Sequence, residues 1–89
     1  MTNTVNKTVM LAKVEYTDTY GGESNYSWLI RCEFECQGMT DRQIIQRAKA
    51  ELGITGKKAD YRRSYNYCDI IAQYYPCTVM FITFEDCEE

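Results

Sequence analysis

Cys32 and Cys36 bracket Glu33 and Glu35 in the run CEFEC, and thiols beside carboxylates invite a metal-site reading. Geometry opposes it. Four residues along a strand span about 13 Å, too far for both sulfurs to reach one tetrahedral zinc through bonds of roughly 2.3 Å. The same separation rules out a disulfide between the two. Cys68, Cys77 and Cys87 add no CxxC pair, and the 89-residue chain has no histidine. No metal site and no cofactor is expected, and Cys32 and Cys36 are read as small core residues.

Catalytic chemistry has as little to draw on. The absence of histidine removes the commonest general base and the usual triads. Cys68 stands beside Asp69, and a neighbouring carboxylate raises a thiol pKa rather than lowering it. Only a fold-back of Arg62 or Arg63 would supply an activating cation. Glu33 and Glu35 are a pair of carboxylates, but on the solvent face of a strand they form a solubilising edge, not an acid/base dyad. No phosphate-cradling loop is present, and Gly21-Gly22 is a turn. No catalytic residue is assigned, and the chain is expected not to be an enzyme.

The segment from Lys57 to Tyr67 has the types for a different chemistry. It interleaves Lys57, Lys58, Arg62 and Arg63 with Tyr61, Tyr65 and Tyr67. Guanidinium groups pair with phosphate and tyrosine rings stack on bases. As a strand, it would put Tyr61, Arg63, Tyr65 and Tyr67 on one face, a stacking platform for nucleic acid. The plainer reading is an edge strand, because tyrosine favours strands and basic residues on an edge discourage aggregation. With Asp60, the stretch 57–63 stands at +3, so with a net charge of −3 the remainder stands at −6.

That remainder gathers into an acidic face. Glu33 and Glu35 on the second strand, with Glu85, Asp86, Glu88 and Glu89 near the C-terminus, would suit a cationic groove on another protein. Grooves built for nucleic acid are the commonest large cationic surfaces, so an acidic domain competes for them by electrostatic complementarity. A net negative chain is a poor generic ligand for DNA or membranes, both anionic. No apolar run approaches membrane-spanning length, and the N-terminal residues lack the apolar stretch of a signal peptide. A reducing cytoplasm is therefore expected, where five cysteines are thiols and not a disulfide framework.

These groups must be held by one small domain spanning residues 1–89, with a modest core. Met10, Ala12, Val14 and Tyr16 alternate through a strand over 7–16, and Gly21-Gly22 turns the chain. Trp28, Ile30, Cys32, Phe34 and Cys36 then share one face of a strand over 26–37, with Arg31, Glu33 and Glu35 on the other. Thr40 and Gln43 match a capping box, Ile44, Ile45, Ala48 and Leu52 recur at helical spacing, and Gly53 ends a helix over 41–52. Residues 69–75 and TVMFITF (78–84) make a second hairpin, the latter strand buried on both faces. The expected fold is α+β, a small antiparallel sheet with one packed helix in the order ββαββ.

In size, charge and lack of catalytic equipment, the chain resembles the small accessory proteins encoded by phages and mobile elements, among them anti-CRISPR and anti-restriction proteins. The resemblance is one of general character and carries no diagnostic residues. It implies a stoichiometric inhibitor of a nucleic-acid-processing complex. In that reading the acidic face meets the partner's basic surface, and aromatics from Tyr61 to Tyr75 anchor the contact. Two alternatives stand beside it: direct nucleic-acid binding through the Lys57–Tyr67 segment, and self-association, as a homodimer or a larger assembly, through an open sheet edge.

Overall fold

The computed structural model describes residues 8–21, 23–63, 68–74 and 77–88. In chain order the elements are β1 (Thr8–Tyr20), β2 (Glu23–Glu35), α1 (Asp41–Leu52), β3 (Ala59–Arg63), β4 (Ile70–Tyr74) and β5 (Thr78–Glu88). The expected order ββαββ is thus corrected to ββαβββ. The additional strand is β3. Its side chains ADYRR show no apolar alternation, because its place comes from backbone pairing with β4 from Ala59↔Tyr74 to Arg63↔Ile70.

All five strands join one sheet in the order β2-β1-β5-β4-β3, with every neighbouring pair antiparallel. The central pair is β1 with β5, running from Thr8↔Glu88 to Asp18↔Thr78. β2 and β3 form the two edges. Strands β1 and β2 are longer than their hydrophobic alternation suggested, extending through TDTY and ESN to a turn at Gly21, whose φ of +64° suits glycine.

One face of the sheet carries the main core. Ala12, Val14, Tyr16, Phe34, Cys36, Ile70, Ala72, Tyr74, Met80 and Ile82 are buried there against Ile44, Ile45 and Ala48 of α1. The helix begins where the sequence signals it. Thr40 Oγ1 accepts from the Gln43 amide at 3.2 Å, and Gln43 Oε1 accepts from the Thr40 amide at 2.9 Å. It ends at Gly53, whose left-handed φ of +75° lets its amide reach the Ala50 carbonyl at 3.2 Å. On the other face, Ile71, Val79 and Phe81 form a smaller buried cluster with Cys68. β5 is therefore buried on both sides, as an unbroken β-branched and aromatic run requires.

The far end of the β1–β2 hairpin is shaped by a large bulge. Pairing passes from Thr17↔Leu29 directly to Thr19↔Ser24, so residues 25–28 stand opposite the single Asp18. The Asp18 carboxylate organises them, accepting from the Ser27 amide at 2.9 Å, the Ser27 hydroxyl at 2.6 Å and the Asn25 amide group at 2.9 Å. These donors hold its carboxyl below the usual range, at about 2. Thr17 adds a bond to the Trp28 carbonyl at 2.6 Å. Tyr26 sits within the bulge at φ +56°, a conformation costly for a bulky residue.

Candidate functional site

The bulge and the helix together decide which part of β2 is exposed. A 12-residue helix is about 18 Å long, whereas a 13-residue strand reaches about 43 Å. α1 therefore shields only one end of β2, where Phe34 and Cys36 are buried and Arg47 lies over the Phe34 ring at 5.1 Å. Beyond it, Tyr26, Trp28 and Ile30 stand at 40–50 % exposure, although the alternation places Trp28 and Ile30 on the same face as Phe34. Trp28 is steadied by Tyr16, ring centroids 5.3 Å apart, and Tyr16 in turn packs edge-on to Tyr74. The apolar face that Trp28 and Ile30 share with Phe34 and Cys36 is thus buried along only part of its length. The signal that could have found them was the mismatch of element lengths.

The opposite face of the same strand carries charge. Glu33 and Glu35 are exposed there, level with Lys13 and Leu11 of β1. Leu11 also pairs with Glu85, so Glu35 and Glu85 flank one β1 residue from either side, two strand spacings or about 10 Å apart. Glu85 is bound by Lys13 at 3.1 Å, and nearby Glu15 by Arg31 at 3.1 Å. Among the described residues, Glu33 and Glu35 have no ion pair. Asp86 is exposed on the helix-bearing face beside Met10, and Glu88 lends its backbone to β5 opposite Thr8. Glu89 lies outside the described residues. The structure thus brings together Glu33, Glu35 and Glu85 of the six acidic candidates.

The basic segment is at the other edge, four strand spacings or about 19 Å away. Tyr65, Tyr67 and Tyr75 lie outside the described residues, and with the first two goes half of the proposed stacking platform. Lys57 and Lys58 are exposed ahead of β3. Tyr61 and Arg63 turn to the helix side and Arg62 to the other face. Arg63 is committed to structure: it holds the Asp41 carboxylate through two bonds of 2.6 and 2.7 Å and lies over the Phe84 ring at 5.2 Å. Tyr61, one of the expected anchors, is separated from the acidic face by the width of the sheet, so Trp28, Ile30 and Tyr26 are the aromatic and apolar residues that accompany Glu33 and Glu35.

Burial pushes the thiols of Cys32 and Cys36 above their usual pKa, which keeps them protonated and unreactive. Cys36 is buried, and Cys32 packs partly buried against the same core. Among the described residues no three histidine, cysteine, aspartate or glutamate side chains converge to hold a metal ion. No helix among them is long and apolar enough to cross a membrane. Compared with known protein families, with curated proteins and with solved structures, the chain finds no match.

Proposed function

We propose that the protein is a non-enzymatic binding protein that occupies a basic, nucleic-acid-handling surface on another protein, with the β2 edge as its contact surface. One observation carries the reading. Glu33 and Glu35, two carboxylates without an ion pair among the described residues, project from an edge strand whose outer side pairs with no other described strand and whose far half exposes Trp28 and Ile30. Such an edge offers three things at once: negative charge to steer toward a cationic groove, an aromatic anchor, and an outward row of backbone groups for strand addition. The general character shared with anti-CRISPR and anti-restriction proteins favours an intracellular nucleic-acid-processing complex as the target, blocked stoichiometrically.

The test is a tagged pull-down from nuclease-treated lysate, comparing the wild type with the Glu33→Lys, Glu35→Lys double variant and with Trp28→Ala. A protein retained in stoichiometric amount by the wild type, and lost or released at lower salt by the double variant, supports the reading. Retention that is unaffected by both variants would remove the β2 edge from the contact. Recovery that depends on intact nucleic acid would overturn the protein-inhibitor reading itself.

A further inference from the structure

A second surface lies on the side of the molecule away from the acidic edge. Arg42, Ile45, Gln46 and Lys49 follow one another at helical spacing along a single ridge of α1. With Tyr61 of β3 they line a groove of about 240 Å³ between helix and sheet edge. Among the described residues no carboxylate lines it. The nearest helical acid, Asp41, is already held by Arg63, and Glu51 by Arg47 at 2.9 Å. Arg42 has no ion pair among the described residues.

Lys49 is the second cation lining the groove. Its stem is packed, which leaves the residue 6 % exposed, and its ammonium is not among the buried polar atoms left without a partner. Two cationic side chains with no facing carboxylate among the described residues favour an anion in the groove. The walls specify that anion further. Arg42 offers a planar fork suited to phosphate, Gln46 both a donor and an acceptor, and Tyr61, 46 % exposed, a ring face beside Ile45. Cations at one part of a small cleft and an aromatic platform at another match a phosphate joined to a flat base. The volume is below that of ordinary ligand clefts, so it suits one nucleotide and not a duplex. Lys57 and Lys58 are four and three residues before Tyr61, within about 13 Å along the same edge.

We infer that this groove binds a nucleotide through its phosphate and base, either free or as one unit of a single strand that continues past Lys57 and Lys58. The site is separate from the acidic edge and shares only Tyr61 with the tyrosine face that the sequence suggested: Arg42, Gln46 and Lys49 on the helix replace Arg63, Tyr65 and Tyr67.

The experiment measures binding of three probes to the intact chain: a short single-stranded oligonucleotide, AMP, and inorganic phosphate. The expected result is that AMP and the oligonucleotide bind and that Tyr61→Ala weakens both by roughly 5- to 100-fold, the range for loss of one base–aromatic stack. Arg42→Gln, at an exposed position, should weaken both and lower the salt slope of oligonucleotide binding by about 0.7. Lys49→Met, which keeps the stem, should weaken them further, with the far-ultraviolet spectrum checked for an intact fold. An oligonucleotide bound more tightly than AMP assigns the groove to a strand; AMP bound as tightly assigns it to a free nucleotide. No binding of either at millimolar concentration overturns the inference. So does affinity unchanged in both Arg42→Gln and Tyr61→Ala, or inorganic phosphate bound as tightly as AMP.

Discussion

Asp18 is the residue on which the exposed end of the hairpin depends. Its carboxylate collects three hydrogen bonds from Ser27 and Asn25, which together favour the ionised form. The folded carboxyl titrates at about 2 against an ordinary 3.8, so its contribution is present above the ordinary value and is lost as pH falls from there through about 2. Thermal melts of the wild type should therefore decline across that acid window, and Asp18→Asn should flatten this part of the profile while lowering the melting temperature at neutral pH. Arg63→Ala removes a two-bonded pair with Asp41 and a stack on Phe84. Both groups are partly exposed, so the expected loss is about 1 kcal/mol by denaturant titration. Neither role was legible in the sequence. TDTYGGESN reads as a turn because its residues are turn formers, and nothing in it indicates that residues 25–28 bulge around one aspartate. Arg63 read as a phosphate ligand because its partner is twenty-two residues away.

The elements divide by the kind of signal that defines them. α1 was readable to the residue, since a capping box, a 3.6-residue period and a terminal glycine are all local. Thr40→Ala should accordingly cost about 1 kcal/mol and appear as a lower denaturant midpoint. β5 was readable as a doubly buried strand from its unbroken apolar run. Ile82, fully buried in it, should cost about 2–5 kcal/mol when changed to alanine. The segment holding β3 read as an edge strand from its tyrosines and basic residues, but the expected order ββαββ gave it no place as a separate element. Its side chains are charged or aromatic without alternation, and only the register against β4 makes it a strand. The β2 site was half legible: the alternation correctly separates Glu33 and Glu35 from Phe34 and Cys36. It cannot say how far the helix reaches, and that decides whether Trp28 is core or surface.

For the whole molecule, the segregated charge lies along two opposite edges of one sheet, a relation that net charge alone could not reveal. The edges should be separable by mutation. Glu33→Lys with Glu35→Lys should change recovery of the protein partner and leave AMP binding within a factor of about two, since the groups are farther apart than the roughly 8 Å screening length at physiological salt. Arg42→Gln should do the reverse.

The pairing of β1 with β5 also governs when this fold becomes available. Thr8 meets Glu88 in the centre of the sheet, so the strands most distant in the chain are the ones that must join. The β1–β2 and β3–β4 hairpins close over short loops, events of microseconds, but neither hairpin contacts the other within the sheet until β5 enters between β1 and β4. During synthesis the first hairpin must wait for β5 to emerge before β1 gains its second neighbour in the sheet. β5 is thus the latch of the molecule, and folding should be one late, cooperative event rather than growth outward from the N-terminal hairpin.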